Sequence, residues 1–516
     1  MTLEKIVYVY QIFIRYEKKK SPMFGVKPPM SNFVRRSAPT NPANQINSEK
    51  DENAAPTRSP RNKKPHPPIP TLNICFQPDE TNENDLQPKN PRNKRRAPRT
   101  ARSSNPRFRN KARKASPDRI KINSSGIIKN APLASEEAKK LFAHQLNSYE
   151  TEEILLYDEI YFLGQRSKKI KPNFTGTSNY GYDDINHHYR AQIGDQIAYR
   201  FEIRAILGKG AFGQVLRCYD HKTKNNVALK LIINTEQMHE QGKVEISLLQ
   251  HLNEAPGNES SCIIRGLDYF IFRNHICATF EILGHNLYEY SRSMRYRPLS
   301  TPQMKSIATD MLKALSFMHQ NRVIHCDMKP ENVLLCSGST TNCRVIDFGS
   351  SCFIGKQKYE YIQSRFYRAP EVILGLPYGP PMDMWSFGCI VAEMMIGHPL
   401  FPGDDEAEQL EMYMEVFGLP PRDMIDACSR KRYFFDNNYH PLVRSQARRK
   451  RRIGGVSLKG LTKLNDHLLL DLLSKCFTWN QSRRITASEA LRHPYFTAKE
   501  VKTARPSYQL PGLRFR

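Results

Sequence analysis

The sequence predicts an α+β chain with two unequal folded parts, a smaller, mainly β part and a larger α-helical part, behind a disordered basic tail. Three observations carry this reading. Residues 1–130 hold 28 Lys and Arg against 10 Asp and Glu, which places +18 of the net charge of +27 in the first quarter of the 516 residues. From 201 to 283, strand-like apolar runs flank a glycine-rich hairpin and one helix. Beyond 300, apolar residues recur at helical spacing over long stretches.

The tail comes first. Ile6-Val-Tyr-Val-Tyr-Gln-Ile-Phe-Ile14 is apolar but too short for a bilayer, which takes about 20 such residues. Gln11, two tyrosines and the basic residues that follow disfavour a cleaved signal. No other stretch approaches membrane-spanning length, so a soluble chain is expected. Residues 21–130 are rich in Pro, Asn, Ser, Arg and Lys and cannot bury enough apolar surface to offset chain entropy. Two dense basic clusters lie there, Pro91–Arg99 and Arg107–Lys114. They fit a nuclear localisation signal, a nucleic-acid or acidic-membrane contact, or a solvated tail. The lack of any nucleic-acid-reading module argues against nucleic acid. Ser59-Pro60 and Ser116-Pro117 match short phosphorylation motifs. The eleven cysteines show no metal-like spacing, which fits the reducing cytosol or nucleus.

Ordered composition begins near 131. Ala134–Ser148 reads as a helix with Ala138, Leu141, Phe142 and Leu146 on one side. Glu153–Lys169 mixes apolar residues with acids. In Asn179–Tyr189, paired acids and histidines fit either a metal site or, as we prefer, local hydrogen bonds and caps.

From 201 the pattern carries chemistry. Leu207 leads into Gly208, Lys209, Gly210, Ala211, Phe212, Gly213, Gln214 and Val215, a glycine-rich hairpin able to close over phosphates. Val227-Ala228-Leu229-Lys230 follows at hairpin distance and supplies a cation. Gly242–Leu252 reads as a helix with Val244, Leu248, Leu249 and Leu252 on its apolar face, and Glu245 as the partner of Lys230. Cys277–Leu283 is a strand entering a loop. Phe280 would wall a pocket there, and the backbone of Glu281, Ile282 and Leu283 would face a base. Thr301 as N-cap and Pro302 at the first position start a helix. Its stripe of Met304, Ile307, Ala308, Met311, Leu312, Leu315 and Met318 is core.

That helix delivers the chain to Val323-Ile-His-Cys-Asp-Met-Lys-Pro-Glu-Asn-Val-Leu-Leu335. Val345-Ile-Asp-Phe-Gly349 begins ten residues later. Asp327 would take a hydroxyl proton, Lys329 would face a transferring phosphate, and Asn332 with Asp347 would hold Mg2+, a hard cation that prefers oxygen. Cys326 and Cys352 are expected to come close, either as a redox-sensitive pair or as two inert thiols. Asp383–Gly397 is apolar all round and reads as a buried helix capped by Gly397. Residues 403–470 hold helices around a basic loop, Arg448–Arg452. Trp479–Phe496 closes the helical part, and 497–516 reads as a loose tail.

In these motifs residues 201–496 resemble a eukaryotic protein kinase of the group that holds the cyclin-dependent and mitogen-activated kinases. His325-Cys-Asp327, Phe348-Gly-Ser-Ser-Cys-Phe353 and Tyr359–Glu371 resemble the dual-specificity tyrosine-phosphorylation-regulated kinase (DYRK) family. Residues 179–199 are similar to its homology box, and Glu153–Lys169 to the accessory region of its class II members. The resemblance implies a two-lobed kinase fold, with ATP and Mg2+ between the lobes. It implies transfer of the ATP γ-phosphate to Ser or Thr of protein substrates, with Pro after the target and Arg before it. It implies tyrosine autophosphorylation, which we place on Tyr361 rather than Tyr359, with Arg365 and Arg368 reaching back to the phosphate. It also implies that Glu371 pairs with Arg484 and that Asp383 supports the catalytic loop. A pseudokinase binding partners through the same fold is the alternative. Three positions depart from the family pattern: Met328 for Leu, Asn480-Gln481 for Asp-Pro, and Gln196 for His.

Overall fold

The computed structural model describes residues 126–498, apart from 130, 176, 177, 211 and 443–450. The apolar run at 6–14, the basic clusters, both Ser-Pro motifs, Ala211, Arg448–Lys450 and the tail beyond 498 lie outside the described residues.

An accessory unit comes first. Strand β1 (Leu133–Ala134) pairs with β2 (Glu159–Ile160), and helices α1 (Ser135–Phe142) and α2 (Glu150–Glu153) lie between them. Ile128, Leu133, Ala138, Phe142, Ile154, Ile160 and Leu163 form its core with Tyr199. Ile128 is buried and the N–H of Leu163 donates to the carbonyl of Gly126, so this unit includes Gly126–Ile128 and the boundary at 131 falls too late. Helix α1 also stops earlier than Ser148, and Leu141 is exposed. The cause is local competition: the Asn147 side chain accepts from the N–H of Glu150 at 2.8 Å and starts α2 instead of continuing α1.

Alternating burial then builds a six-stranded antiparallel sheet in the order β3-β4-β5-β6-β8-β7. Its strands are β3 (Gln196–Ile197), β4 (Phe201–Gly210), β5 (Gly213–Asp220), β6 (Asn225–Ile232), β7 (Gly266–Phe272) and β8 (His275–Phe280). Helix α3 (Glu236–Glu254) crosses it and begins six residues before the expected start. Thr235 is its N-cap, accepting from the N–H of Met238. Gly242 sits inside α3, not at its start, because a Cβ there would lie 2.5 Å from Cδ1 of Ile232. The glycine lets the helix approach the sheet.

The second lobe is helical. Helix α4 (Thr301–Gln320) has Ser300 at its N-cap position, without a side-chain cap bond, and Thr301 already helical; Met304, Ile307, Ala308, Met311, Leu312, Leu315 and Met318 are all buried. It leads to β9 (Val323–Ile324), which pairs with β12 (Cys352–Phe353). Between these, β10 (Val333–Leu335) pairs with β11 (Cys343–Val345). Helix α5 (Pro370–Leu374) precedes the buried α6 (Pro381–Ile396), which ends at Gly397 in the left-handed region. Trp385 of α6 meets Tyr413 of α7 (Glu406–Phe417) and Phe477, just beyond α8 (His467–Cys476), edge-on at 4.7 and 5.1 Å.

Arg484 grips Glu371 with both nitrogens, at 2.6 and 2.8 Å, and neither side chain is exposed. Asn480 accepts from the N–H of Ser482, so the Asn-Gln departure still makes its turn. The price of breaking a fully buried ion pair is the uncompensated charge left behind. Arg484→Met is therefore expected to lower unfolding stability by about 3–5 kcal/mol, measured by urea unfolding against the unaltered chain.

Candidate active site

The site lies where β6, α3 and the loops after β9 and β11 meet. Lys230 stands on β6 opposite Val215 of β5 and Ala278 of β8. Its ammonium lies 2.6 Å from Glu245 of α3 and 3.2 Å from Asp347. Burial works to lower the Lys230 pKa, but these two carboxylates outweigh it and hold it above the ordinary lysine value. Burial likewise opposes ionisation of Asp347, yet Lys230 and Lys329 keep its pKa below the usual carboxylate value.

The loop after β9 hangs from α6. Asp383 accepts from the backbone N–H groups of His325 at 2.9 Å and Cys326 at 3.0 Å. The N–H of Asp327 donates to Nδ1 of His325, and Nε2 faces the carbonyl of Ile346 at 3.0 Å. Those partners set a neutral imidazole protonated at Nε2. The ring thereby ties the Asp327 loop to the Asp347 loop. Cys326 and Asp347 both hold left-handed backbone, with φ of 65° and 64°, a strained state for residues other than glycine.

The Asp327 carboxylate meets three residues: Lys329, Ser364 and, at 3.4 Å from Oδ2, Asn332. Lys329 lies 2.9 Å from Oδ2. The N–H and hydroxyl of Ser364 donate to Oδ1 at 3.0 and 2.9 Å. Sequence reasoning missed Ser364, and no local pattern singles out that serine. Asn332 donates from Nδ2 to the carbonyl of Asp327 at 2.8 Å, which points its own side-chain oxygen elsewhere. That oxygen and Oδ2 of Asp347 are hard donors of the kind Mg2+ takes, so these residues fit the ion.

A cleft of about 250 Å³ opens beside Lys230. Leu207, Val215, Ala228, Phe280, Glu281, Ile282 and Leu283 line it, together with Leu334, Ile346 and Phe348, which the sequence reading did not assign to the pocket. Gly208 and Gly210 lie at the end of β4, and Phe212 is buried at the turn. A Cβ on Gly213 would lie 2.1 Å from the carbonyl oxygen of Leu231, so strand approach already requires that glycine. Two side chains of this hairpin have partners away from the cleft. Lys209 reaches Asp184 at 2.7 Å, and Gln214 is buried against the carbonyl of Tyr189. Strand alternation turns Gln214 away from the cleft that Val215 faces.

Among the regulatory residues, the Arg368 guanidinium sits 4.0 Å over the Tyr361 ring, held by the carbonyls of Ile362 and Gln363 and by Glu406. Arg365 instead donates to the carbonyls of Gly403 and Asp404. The Tyr359 hydroxyl donates to Gln241 of α3 at 3.1 Å. The sulfurs of Cys326 and Cys352 meet at 3.7 Å as free thiols, and burial pushes the Cys326 pKa up. In residues 179–189, Asp183 accepts from Asn179 and Asn234 and faces His275 at 2.8 Å. No three His, Cys, Asp or Glu groups gather around a cation position among the described residues. Gln196 accepts from the N–H of Tyr199 at 2.7 Å, but its buried Nε2 has no hydrogen-bond partner.

Comparison with known proteins agrees with this geometry. Residues 201–496 match the family model of the protein kinase domain. Human dual specificity tyrosine-phosphorylation-regulated kinase 3 is 42% identical over 417 residues, covering 77% of this chain and 70% of that protein. The Drosophila melanogaster kinase 2 of the same name is 43% identical over 376 residues, covering 72% of this chain and 52% of the other. The DYRK-family kinase pom1 of Schizosaccharomyces pombe is 44% identical over 373 residues, covering 72% of this chain and 34% of a longer protein.

Lys230→Met and Asp327→Asn are each expected to lower phosphoryl transfer about 100-fold or more, the scale of losing one preorganised charge at a reacting centre. Initial rates with radiolabelled ATP check this, with melting curves to confirm that each variant is folded.

Proposed function

The chain belongs to the dual-specificity tyrosine-phosphorylation-regulated kinase (DYRK) family of protein kinases, and from that premise we propose that it matures by phosphorylating its own Tyr361 before acting on Ser and Thr of other proteins. It is a dual-specificity protein kinase that takes ATP and Mg2+ and acts on protein substrates. No feature favours a pseudokinase: Lys230, Glu245, Asp327, Asn332 and Asp347 are all present, and the Lys230–Glu245 pair is closed at 2.6 Å.

The observation that carries the mechanism is the hydroxyl at Asp327. Oδ1 accepts from Ser364 at 2.9 Å, so the base is aimed and spaced to receive a seryl or threonyl hydroxyl. Lys329, on the other oxygen, supplies positive charge beside the group in transit. Asn332 and Asp347 would hold Mg2+, which would neutralise negative charge on the phosphates. The rest is positioning: Asp383 fixes the loop, and Glu245 fixes Lys230.

Arg368 supports the choice of Tyr361. A phosphate there adds about −1.5 to −2 charges and orders a loop only beside cations. The guanidinium already lies 4.0 Å over that ring, while Tyr359 is directed to α3. Preference for Pro after the target and Arg before it rests on the family likeness alone.

Purified chain incubated with Mg2+ and ATP is expected to carry phosphate on Tyr361 with no other kinase added, read by mass spectrometry. Tyr361→Phe should lower peptide phosphorylation about tenfold or more, the scale of one to three lost charge-assisted hydrogen bonds, and Tyr359→Phe only mildly. Stoichiometric phosphate on Tyr359 alone would refute the assignment. Removing residues 1–125 should leave phosphotyrosine intact, whereas removing 1–199 should abolish it.

A further inference from the structure

Gln214 stands in the glycine-rich hairpin, yet its amide is buried on the face opposite the cleft. Burying an amide is costly unless it is held. Here Nε2 donates to the backbone carbonyl of Tyr189 at 2.6 Å. One residue on, Val215 faces the cleft and pairs with Lys230 across the sheet. A shift of Gln214 therefore moves both a cleft wall and the strand opposite the phosphate-facing lysine.

Tyr189 is itself fixed. Its ring packs edge-on against Phe272 at 5.7 Å and His275 at 5.6 Å. Its hydroxyl accepts from Nη1 of Arg273 at 3.0 Å. Arg273, in the turn between β7 and β8, has a left-handed backbone with φ of 46° and is 1% exposed. Such a conformation persists only where its surroundings enforce it. The enforcing partners come from the accessory unit: Glu153 takes Nε and Nη2 at 2.9 and 2.8 Å, and Glu150 takes Nη2 at 3.2 Å. Five buried residues in contact thus run from α2 to the hairpin. The Lys209–Asp184 pair adds a second tie, but it is half exposed and contributes little.

We propose that Gln214 is a positioning residue for the nucleotide, holding the hairpin in register with the accessory unit through Tyr189 and Arg273. The accessory unit then acts on ATP binding in the mature enzyme as well as on maturation. This rests on the reading of the cleft as the ATP site.

The test uses full-length protein with its phosphotyrosine content measured. Gln214→Leu keeps the volume and burial but removes the donor. It is expected to raise the KM for ATP about five- to tenfold, the range one lost hydrogen bond supports, with kcat and the peptide KM within about twofold of the unaltered values. Loss of structure alone would instead lower kcat with the active fraction and leave KM for ATP in place. Tyr189→Phe keeps the ring and the carbonyl but removes the bond from Nη1 of Arg273, which the two glutamates still hold. It should raise KM for ATP by a smaller factor, and the double variant should resemble Gln214→Leu. Unchanged KM for ATP in folded Gln214→Leu overturns the proposal, as do fully multiplicative effects in the double variant. Direct titration of ATP separates the two readings. If the unaltered protein binds no ATP, the cleft assignment fails; if both proteins bind it equally, only the role of Gln214 fails.

Discussion

The ammonium of Lys230 is shared by two carboxylates from separate pieces of chain, Glu245 on α3 and Asp347 on the loop beyond β11. Lys230 and Glu245 are buried and Asp347 is half-buried, and a buried charge without its partner costs several kcal/mol. The strand, the helix and the loop are therefore held in one mutual arrangement or the charges are stranded. Packing around the triad follows from it. Gly242 lets α3 close on Ile232, and Gln241 donates to the carbonyl of Gly349 at 2.6 Å. Hydrogen bonds on one side of α3 and close contact on the other fix the helix that carries Glu245.

The other joins are made the same way. Asp383 reaches from the core of the helical lobe to two backbone N–H groups of the Asp327 loop, and His325 passes the constraint to Ile346. Glu150 and Glu153 clamp Arg273. Arg484 clamps Glu371. Between these joins the lobes are filled with apolar side chains, as around Trp385. Apolar contact is nondirectional and tolerates sliding, whereas a bidentate guanidinium–carboxylate pair accepts one geometry. The fold thus puts directional contacts where catalytic groups from different elements must meet.

Much of this was legible in the sequence, for identifiable reasons. The α4 stripe and the buried α6 were visible because periodicity reports burial directly. Lys230, Asp327, Asn332 and Asp347 were visible because their offsets within short motifs are set by the chemistry itself. What was not legible depends on distance along the chain or on competition between neighbours. Arg273 meets Glu153 across 120 residues, and nothing near Arg273 announces it. Ser364 is one serine among many until the activation segment folds back on Asp327. The end of α1 was misplaced because helical periodicity continues through Leu146, while Asn147 offers the backbone a different partner. The true start of α3 was within reach, since Thr235 is a favoured cap, but Gly242 suggested a later beginning.

Gln214 shows a limit of reading motifs by their best-known role. Every residue of a glycine-rich hairpin invites assignment to the phosphates, yet strand alternation gives half of those side chains to the opposite face. On that face Gln214 joins Tyr189, and on the cleft face Val215 joins the nucleotide wall. The hairpin is a two-sided element, and the side away from the chemistry carries the contact with the accessory unit. A polar contact suits that place better than an apolar one would. A single donor–acceptor pair has one preferred length and direction, whereas an apolar contact would let the strand slide.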